Sequence, residues 1–177
     1  MKIQIRNTNN SDLNIINDLQ HKCFTNTDVW YETILKNYLT TGLILELIKD
    51  NKKKPVGVLL QGYIQPCSTG ILGLSGDVFE PVNDYGHHFL KTNEQYNNIH
   101  GITMLCIHPK YQKKGLATKL ISYYHEINKN KLLCLNTRAS NKNAISLYKK
   151  LGYNHIGNIK NKYFLPTEDS VFMITNK

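Results

Sequence analysis

The chain has 177 residues, 41% of them hydrophobic and 20% charged, with a formal net charge of +9 at neutral pH. That length fits one domain with a substantial core, and the apolar content excludes a disordered chain. No apolar run approaches a membrane span, Met1 to Arg6 is not a signal peptide, and the four scattered cysteines (Cys23, Cys67, Cys106, Cys134) contain no C-x-x-C pair. The expectation is therefore a soluble intracellular protein without a membrane anchor, a disulfide framework or a metal site, in which Cys106 and Cys134 act as buried apolar fillers. Lysine abounds along the whole chain, so part of the positive charge lies on solvated faces. The rest suits an anionic cofactor or acidic peptides. No nucleic-acid partner is expected, because no binding motif is present and the basic residues form no continuous run.

Lys2 to Arg6 alternates apolar and polar residues as a first strand should. Ser11 and Asp12 can cap a helix that turns Leu13, Ile16, Leu19 and Phe24 inward. A second helical stretch is predicted after Thr27-Asp28, with Trp30, Ile34, Leu35 and Tyr38. Leu43 to Lys49 predicts a strand, Asp50 to Pro55 a polar turn, and Val56 to Ile64 the returning hairpin strand. Residues 66–98 predict an irregular insertion, and so long a loop in a compact domain is usually functional or mobile. A fourth strand runs from Gly101 to Ile107, followed by a turn and a helix to Lys129. Leu132 to Thr137 is a fifth strand, Ser140 to Leu151 a helix, and Gly152 to Ile159 and Ser170 to Ile174 are two closing strands. The order β-α-α-β-β-β-α-β-α-β-β predicts a single α/β domain over 1–177, with a mixed sheet and helices on both faces.

The densest chemical signal is Ile107-His108-Pro109-Lys110-Tyr111-Gln112-Lys113-Lys114-Gly115-Leu116-Ala117-Thr118. An apolar strand stops at a proline, a basic turn follows, and an amphipathic helix opens on glycine. Backbone N–H groups at a helix start are unpaired and carry partial positive charge, which makes such a turn a site for phosphate. The turn lacks the glycine and lysine spacing of a P-loop and of a dinucleotide fold. Gln112-x-x-Gly115-x-Ala117 after this strand instead resembles the pyrophosphate loop of the GNAT superfamily of acyl-CoA-dependent N-acyltransferases. A second motif, Asn141-Lys142-Asn143-Ala144-Ile145-Ser146-Leu147-Tyr148 followed by Gly152-Tyr153, is similar to the family's N-x-x-A-x-x-L-Y-x-x-x-G-F.

The resemblance implies a GNAT fold with a mixed, mostly antiparallel central sheet flanked by helices, and acetyl-CoA as co-substrate with no metal. It implies that acetyl-CoA is held by the strand end Leu105, Cys106 and Ile107, by the turn Gln112, Lys113, Lys114, Gly115, Leu116, Ala117 and Thr118, and by Asn141 and Tyr148. Asn141 is also well placed to cap the following helix. Asp28-Val29-Trp30-Tyr31-Glu32-Thr33-Ile34 and the Lys162-Tyr163-Phe164 tail resemble the N-terminal protein acetyltransferase branch, most closely its NatF type. That likeness implies a peptide or protein N-terminus as acceptor, with Phe24, Trp30, Tyr31 and Tyr163 as groove walls. The branch's catalytic tyrosine falls at Gly101 and its histidine at Asn136, and neither residue can act as a base.

Acyl transfer to an amine requires a base for the amine, donors for the carbonyl oxygen and an acid for the leaving thiolate. Backbone N–H groups near Leu105 to Ile107 suit the oxygen, and Tyr148 is the candidate acid. His100, whose side chain ordinarily titrates near pH ~6.5, is the leading base, with a water held by Asn136 as the alternative relay. Two competing readings are a GNAT enzyme acting on a small amine, polyamine or lysine side chain, suggested by Asp28, Glu32, Glu168 and Asp169, and a CoA-binding module with weak turnover.

Overall fold

The computed structural model describes residues 2–24, 28–64, 79–91 and 99–175. The chain divides into two compact units, one of residues 1–62 and 102–129, the other of residues 63–101 and 130–177.

In the first unit, β1 (Lys2–Asn7) pairs antiparallel with β2 (Leu43–Lys49), and β2 with β3 (Lys52–Ile64). β5 (Ile99–Ile107) lies beside β3. The β2–β3 turn is shorter than the sequence suggests: Asp50 and Asn51 alone make it, at φ of 49° and 57°. Two successive left-handed residues are what a tight two-residue hairpin requires, so Lys52 to Pro55 joins the ladder instead of the loop. The helices α1 (Leu13–Cys23) and α2 (Glu32–Lys36) cover this sheet. Ile16, Leu19, Leu35 and Leu39 form a buried cluster with Ile44, Val58, Leu60, Met104 and Cys106. The other helix, α4 (Leu116–Ile127), buries Leu116, Leu120, Ile121 and Tyr124 on one stripe.

The second helix is five residues long, and Trp30 precedes it instead of lying on it. The cause is local. The Gln20 side chain accepts from the Trp30 N–H at 2.8 Å and donates to the Trp30 carbonyl at 2.8 Å, which removes both groups from any helical ladder. Residues 25–27 of the preceding loop lie outside the described residues.

In the second unit the strand order is β6 (Leu133–Arg138), β8 (Thr167–Thr175), β7 (Tyr153–Phe164) and β4 (Phe79–Pro81). Each neighbouring pair is antiparallel. α5 (Lys142–Lys150) connects β6 to β7, and Cys134, Ile156, Ile159, Phe172 and Ile174 build the core with Ile99 and Leu132. The expected irregular insertion at 66–98 is corrected in its described part, which contains β4 and a helix, α3 (Asp84–Lys91). Asn83 anchors the helix. Its side chain accepts from the Gly86 N–H at 2.8 Å and donates to the His155 carbonyl at 2.8 Å. Residues 65–78 and 92–98 of that segment lie outside the described residues.

The first unit is pinned at its start by one cation. Arg6 donates to both Asp12 carboxylate oxygens, at 2.7 and 2.8 Å, and to Glu46 at 3.0 Å. Asp12 and Glu46 are both buried, and Asp12 also accepts from the Asn9 N–H at 2.9 Å within a capping box. The Arg6 guanidinium holds the Asp12 carboxyl below the usual carboxylate range. An Asp with a depressed folded pKa contributes stability above its unfolded pKa and loses it as pH falls through the folded value. Arg6→Met should therefore cost about 3–5 kcal/mol, because two buried carboxylates lose their partner. Urea melts of both proteins should show that cost at neutral pH and a gap that narrows as pH falls below ~4 toward the depressed folded pKa of Asp12. Equal stability at neutral pH would refute the assignment.

Candidate active site

The turn leaving β5 is built to present backbone N–H groups. Pro109 to Tyr111 forms one 3-10 turn, with the His108 ring accepting from the Lys110 N–H at 3.2 Å and packing edge-on to Tyr111 at 5.5 Å. His108 is thereby committed to the turn. Lys113 and Gly115 then adopt left-handed φ values of 58° and 74°. A side chain added at Gly115 would meet no atom within 4 Å, so the backbone conformation, not space, is what calls for glycine. Gly115 is also the N-cap of α4 and supplies no side-chain cap, so the first-turn N–H groups of Leu116, Ala117 and Thr118 have no side-chain cap from this position. Lys54 and Lys114 approach the Tyr111 ring at 5.4 and 5.5 Å. Uncapped donors among lysines fit a diphosphate.

Gln112 has a role inside the turn. Its side chain donates to the Ile107 carbonyl at 2.9 Å, and the Cys23 thiol donates to the same oxygen at 3.2 Å. Leu105 is half-buried, and Cys106 and Ile107 are buried. On the same unit, Phe24 and Trp30 are half-buried against the core cluster, and the Trp30 ring meets Tyr38 at 5.3 Å. Tyr31 is 78% exposed, which leaves its ring available to a ligand.

The second unit carries the other residues singled out in the sequence. Asn141 caps α5, accepting from the Ala144 N–H at 3.1 Å. Tyr148 is buried on that helix, edge-on to Tyr153 at 5.7 Å. The Gly152 φ of 88° closes the helix. Asn136 and Tyr163, which are far apart in sequence, are brought together: the Tyr163 hydroxyl donates to Asn136 Oδ1 at 3.4 Å. His100 is buried with its Nε2 3.0 Å from Lys131 Nζ. Burial, and secondarily the Lys131 charge, push its pKa below the ordinary histidine value.

Two participants escaped the sequence reading: Gln20 fixes Trp30 as described above, and Arg138 stacks on Tyr163 with 4.2 Å from Cζ to the ring centroid. Glu168, read from the sequence as an acid suggesting a polyamine, pairs with Arg138 at 3.3 Å. Arg138 alone left a local trace, since it stands two residues beyond Asn136 on a strand and so shares its face. Among the described residues no group of three or more His, Cys, Asp or Glu could hold a metal ion, and no helix is long and apolar enough to cross a membrane.

Residues 80–155 match the model of the acetyltransferase (GNAT) domain. That class comprises acyltransferases that take the acyl group from acyl-CoA. The catalytic subunit NAA10 of the N-terminal acetyltransferase A complex of Arabidopsis thaliana is 34% identical over 97 residues, covering 51% of this chain. The matched part spans 50% of that relative's length. Among solved structures, Arabidopsis thaliana NAA60 in complex with acetyl-CoA superposes with a TM-score of 0.75 at 16% identity, covering 99% of this chain and 100% of the other. The ribosomal-protein-S18-alanine N-acetyltransferase from Escherichia coli gives 0.66 at 20% identity, covering 98% and 93%. These likenesses show the GNAT fold, which among the described residues is a mixed, mostly antiparallel arrangement of eight strands with helices.

The His100 environment is open to direct measurement. Its ring should titrate below the ordinary histidine value of ~6.5 in an NMR pH series. Lys131→Met removes a like charge and should move the midpoint upward, while burial keeps it below that value. A downward or absent shift in Lys131→Met would refute the Lys131 contribution.

Proposed function

We propose that this chain acetylates the α-amino group of protein or peptide N-termini, by direct attack of the amine with both substrates bound. The observation that carries the reading is the Tyr163–Asn136 contact at 3.4 Å, which sets an aromatic hairpin residue against a polar strand residue in the second unit. The similarity to NAA10 over half the chain supports the same acceptor class. So does the fate of two of the four acidic residues that suggested a polyamine. Glu168 accepts from the Ser140 N–H and hydroxyl and pairs with Arg138, and Asp169 accepts from the Asn161 N–H at 3.0 Å and pairs with Lys160 at 3.2 Å. Two carboxylates spent inside the fold are poor receptors for a small polycation.

Acetyl-CoA supplies the acetyl thioester. In this reading the α4 N-terminus from Gln112 to Thr118 holds its diphosphate, the Leu105 to Ile107 backbone polarises the carbonyl, and Asn141 receives the pantetheine arm. Tyr148 gives a proton to the departing thiolate. For the base, His100 has the neutral form that proton abstraction needs, yet its Nε2 already faces the Lys131 ammonium. A water held by Asn136 and passed by Tyr163 is therefore the favoured relay. Free thiols at Cys23, Cys106 and Cys134 suit an intracellular, reducing setting for this chemistry.

Incubation with acetyl-CoA and peptides bearing both an α-amine and an internal lysine, followed by fragment mass spectrometry, should place the acetyl group on the α-amine. Exclusive lysine modification, or turnover confined to polyamines, would move the chain to a different acceptor class.

Tyr148→Phe should slow turnover by about a hundredfold to ten-thousandfold while acetyl-CoA affinity changes little. If the ring served packing alone, the lost hydroxyl would instead lower stability by about 1 kcal/mol and leave turnover intact. Steady-state kinetics and a melting curve on the one variant separate these outcomes.

A further inference from the structure

One face of the second unit carries a polar network of which the reaction as proposed above uses only Asn136 and Tyr163. Asn136 and Arg138 alternate on β6, Glu168 and Ser170 alternate on β8, and Tyr163 on β7 stands opposite Glu168. Between Ile159 and Tyr163 the β7–β8 register shifts around Asn161, whose φ is 48° and whose N–H donates to Asp169 Oδ1 at 3.0 Å. Such a bulge re-aims the residues that follow it. The tip beyond it, Phe164 and Leu165, is 79% and 67% exposed, so apolar burial does not fix the hairpin end.

The fixing is done by Arg138. Its guanidinium lies over the Tyr163 ring at 4.2 Å and donates to the Pro166 carbonyl at 3.3 Å and to Glu168 Oε2 at 3.3 Å. Glu168 in turn accepts from the Ser140 N–H, and from the Ser140 hydroxyl at 3.1 Å. Ser140 immediately precedes Asn141, the cap of α5. A planar cation can grip a ring face and two acceptors together, which a lysine cannot do.

We propose that Arg138 is a positioning residue for the acceptor amine: it clamps the β7–β8 hairpin so that the Tyr163 hydroxyl is held on Asn136. The inference rests on the proposed acetyltransferase reading, with Tyr163 on the acceptor side. Arg138 touches no reacting atom in this scheme. Its effect passes through Tyr163, and Glu168 holds Arg138 in place.

The test is made on the full chain with Arg138→Met, Arg138→Lys and Tyr163→Phe, using whichever amine the wild type acetylates. Arg138→Met should raise the acceptor KM and lower kcat, about tenfold together in kcat/KM, with the acetyl-CoA KM held within about twofold. Arg138→Lys keeps a charge over the ring without the fork and should recover part of that loss. A second readout needs no turnover. In protein labelled with 13C in the tyrosine rings, the resonance assigned through Tyr163→Phe should shift in Arg138→Met while that of Tyr148 stays in place. An unmoved Tyr163 resonance overturns the proposal, as does a parallel rise in both substrates' KM, which marks general loosening. Turnover of polyamines but not peptides would sink the acceptor proposed above. The Arg138 effect would then be read on the polyamine kcat/KM and judged by the same criteria.

Discussion

The carbonyl of Ile107 is where β5 must stop being a strand, and the turn into α4 depends on how that oxygen is satisfied. A buried carbonyl at a strand end needs donors. Here the Gln112 amide and the Cys23 thiol supply them, at 2.9 and 3.2 Å. One donor comes from five residues ahead and the other from the end of α1, so a single atom ties together the strand, the turn and the helix layer. With the oxygen occupied, the chain can turn through Lys113 and Gly115 in left-handed conformations and release the first N–H groups of α4. The glutamine of the Q-x-x-G-x-A pattern thus has a structural duty visible before any ligand is considered. A side chain that closes the turn also fixes the direction in which the helix donors point.

The same logic explains which parts of the fold could be read from the chain. The α4 turn is legible because all its determinants lie within a dozen residues: a proline stop, a glycine at positive φ and an apolar stripe. Asn141 is legible for the same reason, since its cap partner is Ala144. What failed is non-local. β4 is three residues long and exists because Phe79 finds Ile159 as its partner, a pairing that no window around Phe79 contains. In α3, Gly86 sits inside the helix and lowers its intrinsic helicity, so the segment reads as loop until Asn83 is seen holding it to His155. α2 was overextended because Trp30 fits its apolar spacing. The Gln20 amide that removes Trp30 from the helix lies a full helix earlier.

For the proposed site the division is similar. Tyr163, Asn136 and Tyr148 are singled out by the family resemblance, but the contact between the first two depends on the registers of β6, β8 and β7 taken together. Arg138 and Glu168 become meaningful only once those registers are known. Glu168 and Asp169 looked like acids facing a ligand because their sequence neighbours do not include Ser140, Asn161 or Arg138. A carboxylate that already accepts from a backbone N–H and pairs with a cation has little left to offer a polyamine.

The charge balance follows from this internal spending. Asp12 and Glu46 answer Arg6, Asp18 answers Lys22, Glu168 answers Arg138, and Glu80 and Asp169 share Lys160. With so many of the 13 acidic residues paired in place, the surplus of the 22 lysines and arginines is left to the surface. It is not spread evenly over the first unit. Lys110, Lys113, Lys114 and Lys119 bracket the α4 N-terminus, and Lys54 joins them at Tyr111 from the β2–β3 hairpin. A positive field focused on uncapped helix donors suits the polyanionic cofactor that the proposed function puts at the turn. It does nothing to favour a cationic acceptor, so in the proposed reading acceptor binding rests on aromatic and hydrogen-bonding surface. Tyr163 supplies both, and it is the residue on which the second unit spends its planar cation.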